Sequence, residues 1–491
     1  MQWYQNMAKL LILGAGIAGH TAAMHARTKL AKEHEVIVVS PNAKWNWIPS
    51  NIWVGIGWMK PEQVTFELAP VYQKTGVNFV QAKALEIHPE GSADNPEPHV
   101  VIEYTSETKK GIKDTVSYDY LINATGPKLN FAATEGLGPE HNSLSVCTYG
   151  HAVDAAARLQ ESIERMKRGE RQTLLIGTGH GLCTCQGAAF EYIFNVEFEL
   201  RRQKVRDKAD IIWISNEEEL GDFGMGGMHV RRGGYITHSR VFTESLYTER
   251  GISWITRAHV NKVEANAVHY ETLEGEHKTQ NFDFAMLLPP FAGVGLKAFT
   301  RSGEEITEQL FAPNGFMKVD ADYSGKPYEE WTPEDWPSTY QSPHYKNIFA
   351  IGIAFAPPHA ISRPMKSPSG TPIFPAPPRT GMPSGVMARE IAFNIVDMIN
   401  GKADQPTRTA SMAKMGAACI ASAGASLING TAASMTIYPI IPDFKTYPDS
   451  GRSLAYTSGE IGLAGHWLKY LLHFAFIYKA KAYPLWKLIP E

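Results

Sequence analysis

Four cysteines are the residues best suited to redox or nucleophilic chemistry: Cys147, Cys183, Cys185 and Cys419. A free cysteine is commonly a small buried hydrophobe, so each by itself reads as core. Position separates them. Cys183 and Cys185 fall in GTGHGLCTCQGAAFEY, residues 177–192, after the apolar run TLLIG and ahead of a helical stretch. The first turn after a parallel strand is where α/β folds hold ligands, and a helix N-terminus favours the reactive thiolate. Cys419 lies in GAACIASAGAS, whose small side chains leave room for something to approach. Cys147 has His151 four residues on. No C-x-x-C pair accompanies these thiols, so thiol chemistry is favoured over a zinc site and no metal is expected.

Such thiols need a scaffold that brings distant segments together, and residues 9–40 begin one. KLLIL is a continuous apolar run, as in a parallel strand covered on both faces. GAGIAG follows, with Gly14, Gly16 and Gly19 in the G-x-G-x-x-G pattern, then an Ala-rich helix and the strand EVIVVS. This order of strand, glycines, helix and strand is a dinucleotide fingerprint. The second strand ends in Ser40-Pro41-Asn42 rather than an acid, so a ribose would meet neutral partners. YDYLINATGP ends in Ala124-Thr125-Gly126, where small residues admit a bound dinucleotide. TLLIG opens a second βα turn in which Leu182 replaces the third glycine, so ordinary NAD(P)H binding is not expected there. KNIFAIGIA ends its strand near Gly352, and a proline-rich loop then leads to Arg379-Thr380-Gly381 and another helix. Residues 322–345 read as a surface insertion.

The 491 residues carry 47 basic and 50 acidic side chains, a net charge of −3, which excludes a strongly basic nucleic-acid binder. No run of ~20 apolar residues is present to span a bilayer. The tail is different. Leu463, Trp467, Tyr470, Leu471, Phe474 and Tyr478 fall on one helical face, with Lys469, Lys479, Lys481 and Lys487 around them. That pattern suits a helix lying in a membrane interface; packing on the protein core or a dimer face remains the alternative.

The ordered set of segments resembles the sulfide:quinone oxidoreductases of the two-dinucleotide-domain flavoprotein superfamily. The resemblance runs over nearly the whole chain. It is carried by GAGIAG, WIPSNIWVGIGW with Pro49, YDYLINATGPKLNF, SVCTYGHA, TCQGAAFEY and SNEEELGDFGMGG. MLLPPFAGV, NIFAIGIAFAPP, PRTGM and AACIASAG continue it. It implies an α/β protein with two Rossmann-like domains and a C-terminal membrane-attachment region with amphipathic helices. Expected boundaries are 1–160 and 345–400 for the FAD-binding domain, 170–300 for the second domain and 405–491 for the attachment region. By resemblance, Cys185 and Cys419 face the flavin and are bridged by a disulfide or by extra sulfur. Cys147 with His151 matches a third cysteine and its histidine, and Glu191 a glutamate associated with proton handling. FAD would be held by Gly14, Gly16, Gly19, Ser40, Pro41, Pro49, Thr125, Gly126, Gly352, Arg379, Thr380 and Gly381. Cys183 has no counterpart and reads as a bystander.

The implied activity is oxidation of hydrogen sulfide to polysulfide or sulfur, with two electrons passing through FAD to a membrane quinone. A homo-oligomer on a prokaryotic-type plasma membrane is implied, with no nucleic-acid partner. Three residues depart from the pattern: Arg379 replaces a lysine, Met382 an aromatic and Asp222 a histidine. Two related readings compete, a type II NADH:quinone oxidoreductase and the flavin subunit of a soluble sulfide dehydrogenase. The first needs an intact second phosphate turn, which Leu182 argues against.

Overall fold

The computed structural model describes residues 7–491 apart from 185, 425 and 427. Cys185 therefore lies outside the described residues. The chain opens with β1 (Lys9–Leu13), α1 (Ile17–Arg27), β2 (Glu35–Ser40), β3 (Asn78–His88), β4 (His99–Tyr104), β5 (Lys113–Ser117) and β6 (Tyr120–Asn123). It continues with α2 (Tyr149–Lys167), β7 (Gln172–Thr178), α3 (Gln186–Arg202), β8 (Ala209–Ile214), β9 (His229–Arg232), β10 (Tyr235–His238) and α4 (Ser239–Glu249). Next come β11 (Ile252–Ile255), β12 (Ala258–Glu264), β13 (Ala267–Thr272), β14 (His277–Asn281), β15 (Phe284–Leu288), β16 (Lys297–Ala298) and β17 (Ile348–Ala350). The last elements are α5 (Gly381–Ile399), β18 (Ala417–Ala423), β19 (Thr431–Ile437), β20 (Ser458–Gly462) and α6 (Leu463–Ala480).

The first sheet has the order β17-β6-β1-β2-β3-β4-β5, with β16 beside β3. Its strands β17, β6, β1, β2 and β3 are parallel. Leu10 to Leu13 are fully buried, as a strand flanked by parallel neighbours and covered by helices must be. The second unit is a parallel sheet in the order β11-β8-β7-β15 with a separate antiparallel sheet β12-β13-β14. Both Rossmann-like units foreseen in the sequence are present.

Two segments fall differently from the sequence reading. Residues 297–345 pack with the first unit: β16 pairs with β3, and Trp336 and Tyr340 sit in the first core at 3 % and 0 % exposure. The stretch 322–345 is thus tied to the core through Trp336 and Tyr340, while Tyr323, Tyr328, Trp331 and Tyr345 are half-buried and many of the residues between them are exposed. Conversely α2, which begins inside the expected first unit, packs its Ala152, Ala155 and Leu159 face into the second core.

Among the described residues, the C-terminal region contains one long helix rather than several. β18, β19 and β20 extend the β9–β10 hairpin into a five-stranded sheet, β10-β9-β20-β19-β18, and α6 leaves directly from β20. The helix is inverted relative to a core helix. His466, Lys469, His473 and Lys479 are buried, while Trp467, Leu468, Leu471 and Phe474 are exposed. The core-packing alternative for its aromatic face is thereby overturned. Its far end is fixed by Lys479, 2.6 Å from Glu491, whose carboxylate also meets His25 of α1 at 2.5 Å.

Candidate functional site

The first glycine turn is built for close approach. Gly14 has φ +101°, and a Cβ there would lie 2.2 Å from the Ala124 carbonyl oxygen, so the turn crosses the 124–126 segment. A Cβ on Gly19 would lie 2.0 Å from the Gly14 oxygen, which fixes how tightly α1 meets β1. Gly16 faces open space instead, as does Gly126 at φ +71°. Two helix N-termini converge here: a Cβ on Gly381 would lie 3.3 Å from Ile17 Cδ1, and one on Gly352 would lie 2.7 Å from Ala18 Cβ. Neither the Gly16 nor the Thr380 cap makes a side-chain hydrogen bond to its helix. Open space at Gly16 in front of uncapped helix N–H groups fits a dinucleotide pyrophosphate.

The remaining expected cofactor residues have these surroundings. Ser40 is buried at the end of β2, its hydroxyl accepting from Asn42 N at 3.4 Å, and Pro41 accepts from the Thr105 hydroxyl. Thr125 donates through N and Oγ1 to Asn123 Oδ1. Pro49 lies in the short turn Ile48–Ser50, and Ser50 bonds His473 of α6 at 2.8 Å. Arg379 lies over Phe316 and Phe355, with its guanidinium donating to the Phe355 carbonyl at 3.1 Å.

The second glycine turn is filled by the protein itself. Phe374 N donates to the Gly181 oxygen at 2.9 Å and Ala376 N to the Cys183 oxygen at 3.0 Å. A Cβ on Gly181 would lie 2.4 Å from the Pro372 oxygen. Asn216, at the end of β8, turns its amide onto the Gly181 and Phe374 oxygens. Glu217 beside it is fully buried, bonded to the Ser215 hydroxyl and Phe223 N, and burial pushes its pKa up to about 8. Asp222 is likewise buried, accepting from the Ser362 hydroxyl and from Gly224 N. The proline-rich strap thus packs directly on the second glycine turn, and the acids nearby are buried.

The thiol region lies at the start of α3. Cys419 is in β18, which packs against α3, and a Cβ on Gly187 would be 3.9 Å from Cys419 Sγ. Gly187 is two residues past position 185. The chain is pinned on both sides of that position. Thr184 donates to the Pro377 oxygen at 2.9 Å, and the Gln186 amide donates to the Cys183 oxygen and Asn216 Oδ1. Cys183 is buried, and its thiol donates to the Leu288 oxygen at 3.1 Å.

Glu191 lies next along the same helix. Its carboxylate accepts from Ser422 N at 3.1 Å, the Ser422 hydroxyl at 2.5 Å and the Lys469 ammonium through both oxygens. Lys469 also donates to the Ile420 oxygen at 2.9 Å, one residue beyond Cys419. Trp53 and Asn195 complete the network by bonding the Ser422 hydroxyl. Solvent reaches part of Cys419, but protein surrounds most of it, and this desolvation raises the thiol to about 11. The Lys469 charge pulls it down and the Glu191 charge pushes it up.

Cys147 and His151 lie just before and just inside the start of α2. Cys147 is partly buried just before α2, its N–H donating to the Ser145 hydroxyl at 3.1 Å. Its neighbour Val146 and Tyr192 of α3 both close on Gly55, where a Cβ would lie 2.9 and 3.0 Å away. His151 rests edge-on against Phe131 at 5.8 Å; burial lowers its pKa, and its Nδ1 has no hydrogen-bond partner among the described residues. Sequence reasoning missed Lys469, Ser422 and Asn195. The available signal was a lysine interrupting an apolar helix; its buried partner is 278 residues away and invisible to spacing.

The two parallel sheets and the glycine turn after β1 make an α/β scaffold of the dinucleotide-binding kind, and the model of the pyridine nucleotide-disulphide oxidoreductase family matches residues 8–195. Among curated proteins, the sulfide-quinone reductase of Aquifex aeolicus is 30% identical over 419 residues, covering 85% of this chain and 82% of that protein. The mitochondrial sulfide:quinone oxidoreductase of Dictyostelium discoideum is 21% identical over 71% of the chain and 65% of its own length. The crystal structure of the Aquifex aeolicus sulfide:quinone oxidoreductase superposes with a TM-score of 0.74 at 27% identity, covering 97% of this chain and 92% of that one. The chain belongs to the sulfide-quinone reductase family, and it is an enzyme that oxidises sulfide with a quinone as acceptor. The NDH2 structure of Plasmodium falciparum, at 14% identity, 99% and 95% coverage and a TM-score of 0.63, shares the fold alone.

Proposed function

We propose that sulfide is oxidised at a sulfur bridge between Cys185 and Cys419, with FAD in the cradle of the first glycine turn and quinone admitted beside α6. The observation that carries this reading is Cys419 Sγ facing the first turn of α3, immediately past position 185. Hydrosulfide attacks one bridge sulfur; the S–S bond breaks, leaving a persulfide on one cysteine and a thiolate on the other. FAD supplies the two-electron acceptor between the sulfur pair and quinone. As two electrons leave, the bridge re-forms one sulfur longer and one proton is released per hydrosulfide. Repetition yields polysulfide. Lys469 opposes part of the burial that disfavours a Cys419 thiolate, and Glu191 with its ring of donors holds Lys469 in place.

Anaerobic mixing in a stopped-flow spectrometer tests the assignment. Sulfide is expected to bleach the flavin within a catalytic turnover, and added short-chain quinone to restore it. NADH is expected to do nothing on that timescale, because Pro372 to Ala376 pack directly on the second glycine turn. Bleaching by NADH and not by sulfide would establish the NADH:quinone alternative.

The exposed apolar side of α6 supports docking on a bilayer surface, as a peripheral rather than spanning attachment; among the described residues no helix is long and apolar enough to cross. Burying a large side chain contributes ~1.5–3 kcal/mol. The double substitution Leu471→Asp/Phe474→Asp is therefore expected to lower vesicle binding at least about a hundredfold. Co-sedimentation with vesicles measures it, and unchanged binding would contradict the docking face.

A further inference from the structure

One end of the five-stranded sheet gathers three exposed apolar tips. β9 runs parallel to β20 with Arg231 opposite Ser458, and Gly233 N donates to Glu460 Oε1 at 2.9 Å. β20 ends two residues later, where α6 begins. The tip of the β9–β10 hairpin therefore finishes beside the origin of α6. There Tyr235 is 79% and Ile236 59% exposed. β19 pairs antiparallel with β20, Ala432 opposite Gly462, so β19 begins at this same end and Ile428 precedes it by three residues. Ile428 is 81% exposed.

Charge and shape at the hairpin add a second element. Arg231 is exposed, and the Arg232 guanidinium sits 4.9 Å above the Phe242 ring. Between the hairpin and α4 is a cleft of about 300 Å³ lined by Arg232, Tyr235, Thr237, Val241 and Phe242. An apolar trough with a guanidinium beside it matches an acyl chain bearing an anionic head.

We propose that the 231–238 hairpin and Ile428 form a second bilayer contact beside α6, and that the cleft takes an anionic phospholipid. The proposal rests on the reading of α6 as bilayer-facing. It continues that face across the sheet end, giving the enzyme a platform rather than a single line of contact, with Arg231 and Arg232 meeting negative headgroups.

The test uses the full-length holoenzyme and co-sedimentation with vesicles of phosphatidylcholine alone or mixed with phosphatidylglycerol. Tyr235→Asp/Ile236→Asp is expected to lower partitioning ten- to hundredfold on both. Arg231→Gln/Arg232→Gln is expected to remove most of the preference for phosphatidylglycerol, about tenfold, while leaving binding to phosphatidylcholine in place. Turnover in detergent with sulfide and a short-chain quinone should stay at the parent rate in both, because neither pair touches the thiol network. Parent-like partitioning of both hairpin variants overturns the proposal, as does a changed oligomeric state in detergent with unchanged partitioning. The Leu471→Asp/Phe474→Asp variant separates the two readings. Its release alongside retained hairpin variants sinks only the hairpin; release of the hairpin variants alone sinks only the α6 face.

Discussion

Cys419→Ala is expected to retain FAD yet lose sulfide-driven flavin reduction by at least about a thousandfold, the scale seen when an enzyme loses its nucleophile. The proposed cofactor cradle, at Gly14, Gly16 and the N-termini of α1 and α5, makes no contact with this thiol in the described hydrogen bonds. The same loss is expected of Cys185→Ala, since one sulfur cannot form a bridge. Dithionite reduction of the flavin and its reoxidation by quinone should survive, which separates a sulfur-side defect from a collapsed site. A pH dependence accompanies this. Burial raises the Cys419 thiol to about 11, so in the reduced enzyme it is protonated near neutrality. Its thiolate fraction then climbs tenfold per pH unit up to that value. Alkylation of reduced Cys419 should rise accordingly between pH 7 and 10, and a plateau by pH 8 would contradict the burial argument.

Lys469→Met is expected to be the most destabilising single change at the site. It strands Glu191, whose side chain is 8% exposed, as an uncompensated charge. Breaking a buried pair in this way costs about 3–5 kcal/mol. The thermal midpoint should fall by several degrees, on the order of 5–10 °C. The double variant Lys469→Met/Glu191→Gln should recover most of that loss, because it removes both charges. Activity should fall furthest in Lys469→Met alone, where the unopposed Glu191 charge pushes the Cys419 thiol further up and makes its thiolate scarcer; the double variant, with both opposing charges gone, leaves the thiol to burial alone. A Lys469→Met protein as stable as the parent would show that the pair is not buried in solution.

Much of this architecture was legible in local pattern. The run KLLIL, the three glycines and EVIVVS specify β1, α1 and β2 because period and turn chemistry are local properties. Leu182 pointed to a disabled second turn. What fills that turn, the strap at 372–376, is a long-range contact that no spacing encodes. The aromatic face of the tail helix was readable from its periodicity, but its partners were not. Lys469 faces inward to Glu191 and Lys479 to Glu491, so the charged side is the buried one. Residues 322–345 misled because a polar, proline-punctuated stretch reads as surface, whereas Trp336 and Tyr340 anchor it in the core.

The sulfur bridge itself is tested most directly by mass spectrometry of the protein after sulfide treatment, alkylated and digested without reductant. The peptides containing positions 185 and 419 are expected to remain joined, with a mass increment of one or more sulfur atoms between them. Recovery of both as separately alkylated thiols, or of either joined to Cys147 instead, would contradict the bridge.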